Sequence, residues 1–199
     1  MLLKKYGHGS IEYGGVKYVI VPSFINISKI GEPTDIVETI KGLHSSDPLD
    51  VYCSAFSILQ SCCDEDFPPE LFGDLSVTDS GINELDISPE QINDLIVLAT
   101  HCVKHGVIGD VESKGEKGEP LTEFDAYEFI DLAVEHFTLS YDDAAKMTMT
   151  QFVRRMRTKY PEVHKRLESG KRDIDGKSYT KFNAAAEAAR KQAELKNNG

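Results

Sequence analysis

The chain is predicted to be an α+β protein, with an N-terminal β-hairpin packed on several helices, then a linker and a small all-helical C-terminal domain. Three observations predict it. Gly14-Gly15 separates two runs of strand-forming residues, the apolar spacing changes to that of helices from about Pro33, and Val111–Pro120 interrupts the helical pattern with charged residues and glycines.

Ser10–Tyr13 and Val16–Val21 are the hairpin strands, because Gly-Gly supplies the positive φ angles of a two-residue primed turn. Phe24, Ile25, Ile27 and Ile30 are candidates to extend the second strand, against the objection that Pro22 removes a ladder donor. Thr34 or Asp35 caps a helix over Ile36–Leu43. A turn at Asp47-Pro48 and Asp50 lead into Val51–Cys63, whose stripe is Val51, Ala55, Ile58 and Leu59. Asp64–Ile87 is polar and turn-rich, and reads either as a short helix near Pro69–Gly73 or as a second hairpin around Ser80-Gly81.

Ser88–His105 is the clearest helix: Ser88 caps it, Pro89 takes the first helical position, Gln91 completes a capping box and Gly106 closes it. Its predicted inward stripe is Ile92, Leu95, Ile96, Ala99 and Val103. Beyond the linker lie an aromatic-rich helix over Phe124–Phe137, a short helix opened by Ser140, and Phe152–Tyr160, opened by the capping box Thr148-Met-Thr-Gln151.

Charge divides the chain more sharply than its net −11 suggests. Residues 1–110 carry 6 Lys/Arg against 17 Asp/Glu, residues 111–145 carry 2 against 10, and residues 146–199 carry 14 against 6. The predicted organisation is an acidic α+β domain over 1–110, a flexible charged linker over 111–121, a small helical domain over 122–169 and a basic, Ala-rich tail over 170–199, exposed as a helix or disordered. No run of about 18 apolar residues suggests a membrane span, and the first residues lack the apolar stretch of a secretory signal, so a soluble intracellular protein is expected. Cys53, Cys62, Cys63 and Cys102 fall in helical segments, and reduced, buried thiols are expected.

No residue pattern points to catalysis. His101 and His105 have the i, i+4 spacing of metal ligands, but Cys102 stands where a metalloprotease needs Glu, and both imidazoles suit the negative end of a helix. Gly7-His-Gly-Ser10 precedes a strand instead of joining a strand to a helix, so it reads as a flexible terminus and not a phosphate loop. No nucleophile-elbow context occurs, and Asp64–Asp66 and Asp142-Asp143 are explained by solvation and the helix dipole. The chain is therefore expected to be no enzyme, with no catalytic residue, metal or cofactor. The basic cluster Arg154, Arg155, Arg157, Lys159, continued by Lys165-Arg166 and Lys171-Arg172, is the best nucleic-acid candidate. An acidic protein partner, or pairing with the chain's own acidic residues 1–145 (net −19), is favoured over nucleic acid.

One segment resembles a known family. Phe124–Phe137, Leu139-Ser140 followed by Ala144, Met147-Thr-Met-Thr150 with Phe152, and Lys159-Tyr-Pro161 resemble the C-terminal part of the tail assembly chaperones of long-tailed (siphovirus-type) bacteriophages, most clearly over residues 121–161. In that family a longer product arises when the ribosome shifts frame, and Lys114–Glu119 is encoded largely by purines, as a slippery site can be. The resemblance implies that residues 1–110 bind the tape measure protein and that the C-terminal module recruits tail tube subunits in the host cytoplasm, the chaperone being absent from the finished virion. It makes Phe124, Tyr127, Phe129, Phe137, Phe152, Arg154, Arg155, Arg157, Lys159 and Tyr160 the candidate partner-binding residues, with self-association also open. The competing readings are a structural virion protein, in the tail or in head completion, and a nucleic-acid-binding regulator using residues 154–172.

Overall fold

Alternation along the first strands is the start of the fold. In the computed structural model, which describes residues 2–3, 5–77, 83–109 and 121–161, β2 (Gly9–Tyr13) and β3 (Val16–Ile20) pair antiparallel with Tyr13 opposite Val16. Gly14 and Gly15 take φ of 57° and 78°, as the primed turn requires. Ile11, Tyr18 and Ile20 share the buried face. A two-residue strand β1 (Leu2–Leu3) adds to β2 on its other side; it is too short to have carried a periodic signal.

The chain does not extend β3 through Phe24–Ile30. Pro22 lacks the donor to continue the ladder, and Ser23 accepts from Asn26 N at 3.3 Å to cap the short helix α1 (Phe24–Ile27). The next caps lie slightly upstream of those expected, each followed by a proline at the first helical position. In α2 (Pro33–Gly42) Asp35 accepts from the Glu32 amide at 3.1 Å, and in α3 (Pro48–Ser61) Asp47 accepts from Leu49 N at 2.9 Å. Val51, Ala55, Ile58 and Leu59 are buried as their spacing predicts. Both alternatives for the 64–87 stretch form: a one-turn helix α4 (Pro69–Phe72) and an antiparallel hairpin of β4 (Asp74–Val77) with β5 (Asn83–Asp86).

The helix α5 (Pro89–Val103) has the predicted capping box, Gln91 N donating to Ser88 Oγ at 3.2 Å and Ser88 N to Gln91 Oε1 at 3.0 Å. Leu95, Ala99 and Val103 are buried with Leu98 and Cys102, which turns the inward stripe slightly away from Ile92 and Ile96. The helix does not close at Gly106. It widens into a π-turn over Lys104–Ile108 and closes at Gly109, whose amide donates to Lys104 O at 2.8 Å. Gly106 serves close approach instead, since a Cβ there would lie 2.9 Å from the Ile27 side chain. Of the four thiols, Cys62, Cys63 and Cys102 are buried and Cys53 is exposed, because it lies off the inward stripe of α3.

The last described segment contains α6 (Ala126–Phe137, capped by Asp125), α7 (Tyr141–Ala145, capped by Ser140) and α8 (Met149–Lys159), with the predicted box in which Gln151 N donates to Thr148 Oγ1 at 3.3 Å. The expected linker, Leu121 apart, and the 170–199 tail lie outside the described residues, as do residues 162–169. Among the described residues no helix is long and apolar enough to cross a membrane.

Residues expected in two separate domains share one core. Phe24 of α1 stacks on Phe129 of α6 at 5.6 Å between ring centroids and meets Phe152 of α8 edge-on at 6.0 Å. The backbone joins too: Phe24 N donates to Met147 O and Phe124 N to Pro33 O, both at 2.9 Å, and Ser23 bridges Thr148. The cause is that α6, α7 and α8 together are too small to bury Ile130, Met149 and Phe152 among themselves, so their apolar faces close over α1. Each such aromatic or aliphatic side chain contributes about 1.5–3 kcal/mol by leaving water.

Candidate functional site

The periodicity of α8 separates two faces. Met149, Phe152 and Met156 are buried, and Arg154, Arg155, Thr158 and Lys159 fall together on another side. That side forms one wall of an open groove of about 630 Å³. The C-terminal end of α6 (His136, Phe137, Thr138) and Tyr6 from the N-terminal turn form the others. Among the described residues three Lys/Arg cations line it and no Asp or Glu does, in a chain whose net charge is −11.

Aromatic faces hold two of the cations. The Arg154 guanidinium carbon lies 5.1 Å from the Tyr6 ring centroid, and that of Arg155 lies 5.8 Å from the Phe137 centroid. A guanidinium is a planar fork of N–H donors, the group that engages a carboxylate or phosphate. Lys159 Nζ donates to the His136 carbonyl at the C-terminal end of α6, where the helix dipole favours a cation. His136 Nδ1 and the Tyr160 hydroxyl share a hydrogen bond of 3.2 Å beneath it. Arg157, on the neighbouring side of α8, has a buried Nε with no hydrogen-bond partner among the described residues.

Tyr6 reaches this groove at a backbone cost. Its φ of 73° and ψ of 14° place a bulky residue in the left-handed region, worth about 1 kcal/mol or more of strain. Gly7 follows with φ 87°, and a Cβ there would come 2.2 Å from His105 Cβ. The N-terminal turn is thus seated on α5, where a flexible terminus was expected. His101 Nε2–H donates to Gly7 O at 3.1 Å, and His105 Nδ1 and Thr150 Oγ1 share a 2.8 Å hydrogen bond, so the histidine pair ties the turn and α8 to α5. The two rings lie 4.5 Å apart. Among the described residues no group of three or more His, Cys, Asp or Glu is placed to hold a metal ion.

Burial pushes the His101 imidazole below its ordinary value of 6.5, with Lys104 acting in the same sense and the Gly7 carbonyl opposing both. A base whose folded value is depressed binds its proton more readily when the chain is unfolded. The His101 contribution to stability is therefore complete above pH 6.5 and is lost as pH falls through and below that value. Urea midpoints are expected to fall as the pH is lowered from about 7 to about 5. The drop should be smaller in His101→Gln; an equal drop in that variant would assign the effect to other groups.

The candidate partner-binding residues divide. Phe124, Phe129 and Phe152 are core, at 4%, 7% and 1% exposure, and offer no surface to a partner. Tyr127 is 51% exposed and points elsewhere, its hydroxyl 3.5 Å from Ser28 Oγ. Phe137, Arg154, Arg155 and Lys159 meet in the groove, and Tyr160 sits behind it on His136. Sequence reasoning missed Tyr6, His136, Thr138, Gln151 and Thr158. Helical spacing from Arg154 to Thr158 could have found the last, whereas nothing local to Tyr6 signals its place.

A model of a family described as a family of unknown function (DUF6246) matches residues 48–181, about two thirds of the chain. The match runs from the first residue of α3 through α8 and leaves out the hairpin, α1 and Tyr6. No curated protein and no solved structure matches the chain.

Proposed function

The chain belongs to the DUF6246 family, and we propose that it acts there as a non-enzymatic assembly chaperone of the long-tailed bacteriophage type. In this reading it holds a tape measure protein in solution and recruits tail tube subunits in the host cytoplasm, and it leaves before the virion is complete. One observation carries the reading: the segment that resembles such chaperones, residues 121–161, supplies the groove's α6 and α8 walls and, among the described residues, its Lys/Arg cations. The groove has the character of a protein-binding surface, with stacked arginines, a half-buried Phe137 and polar hydroxyls and amides at its edge. An overall charge of −11 keeps a complex with an aggregation-prone partner dispersed.

The shared core changes how the chaperone would work. Because α6–α8 pack on α1, the partner meets one body that carries both charge and groove, and not two modules on a tether. Co-expressing the full chain with a tape measure protein is expected to move that protein into the soluble fraction. Purified particles should lack the chaperone. Stoichiometric retention in particles would replace this reading with a structural virion component, and failure to raise solubility would remove it.

A further inference from the structure

We propose that the groove receives an acidic amphipathic helix of the partner, its carboxylates four residues apart. The inference rests on the assembly-chaperone reading only in taking the partner to be a helical protein. Arg155 and Lys159 are four residues apart on α8 and both line the groove, so their charges are offset by one helical turn, about 6 Å along the axis. A helix laid beside α8 with Glu at i and i+4 repeats that offset, which gives each carboxylate its own cation. Arg154, seated on Tyr6, extends the positive wall by one position toward the N-terminal turn. The apolar side of such a helix meets the half-buried Phe137 ring, which already supports Arg155.

Charge complementarity selects a short acidic segment over a nucleic acid. Among the described residues the groove offers three Lys/Arg cations, few for a long phosphate backbone, whose affinity grows with each neutralised phosphate. Residues 1–145, with 8 Lys/Arg against 27 Asp/Glu, repel an extended polyanion wherever it runs past the basic 146–199 stretch, with its 14 against 6. A partner helix places only a few carboxylates, all inside the groove. The strained Tyr6 backbone fits this role, since it holds the Arg154 support in position before the partner arrives.

Fluorescence anisotropy on the full chain tests the proposal, with three labelled probes: an amphipathic helical peptide bearing Glu at i and i+4, the same peptide with Gln for Glu, and a single-stranded oligodeoxynucleotide. The Glu peptide is expected to bind, more weakly as salt rises, and about tenfold or more better than the Gln peptide. The double variant R154Q/R155Q should lose that difference, while K17Q on the hairpin keeps it, circular dichroism showing both folded. The Gln-peptide comparison uses the unaltered chain and so stands even if a variant misfolds. Equal binding of the two peptides, no binding of either, or tighter binding of the oligonucleotide overturns the proposal. A dimer of the chain that R154Q/R155Q dissociates would put a second copy in the groove and also overturn it. Solubilisation of the tape measure protein without Glu-peptide binding leaves the chaperone reading standing and moves its surface elsewhere; peptide binding without solubilisation does the reverse.

Discussion

Phe152→Ala is expected to lower stability by about 3–5 kcal/mol and to shift the unfolding of the whole described chain, not of its C-terminal part alone. The ring is 1% exposed and touches Phe24, Phe129 and Phe137, at centroid distances of 6.0, 5.6 and 5.7 Å. Removing it opens a cavity where α1, α6 and α8 meet, and these helices cannot collapse onto it without breaking the Phe24 N to Met147 O bond between distant parts of the chain. Against a typical stability of about 5–15 kcal/mol this is a large fraction. Urea unfolding followed both by far-ultraviolet circular dichroism and by tyrosine fluorescence should show one transition at a lower midpoint. Two transitions, one of them at the wild-type midpoint, would mean that residues 1–109 fold apart from α6–α8.

Leu95→Asp is expected to prevent folding. Leu95 has 0% exposure on the face where α5 packs against α3, beside Ala99 and Cys102. A carboxylate there loses its hydration, at a cost on the order of tens of kcal/mol if it stays charged and several even if it takes up a proton, against a typical stability of about 5–15 kcal/mol. Leu95→Ala provides the measurable companion at about 2–5 kcal/mol, from the cavity alone. A soluble, cooperatively unfolding Leu95→Asp protein would place this face of α5 in solvent.

Local structure was legible wherever the physics is local. The Gly14-Gly15 turn, the capping boxes at Ser88 and Thr148 and the α3 stripe depend on residues within a turn of one another, and each formed as read. The errors arose where a remote contact decided. Phe24 left the strand because Ser23 capped a helix whose ring then had Phe129 and Phe152 to pack on. Gly106 serves the close approach of Ile27, which has no room for a Cβ there, and the helix end passed to Gly109.

The candidate site divides in the same way. Helical spacing alone placed Arg154, Arg155 and Lys159 near one another on α8, and composition alone marked them as the basic side of an acidic chain. Which aromatics were surface and which were core did not follow from pattern, since Phe129 and Phe137 lie on one helix and differ only in what covers them. The sequence by itself determined the α+β class, the hairpin, the capping boxes at Ser88 and Thr148 and the charge of α8. Tertiary structure alone decided that both halves share a core and that Tyr6 meets Arg154, because the burial that joins them depends on surfaces brought together across nearly 150 positions of sequence.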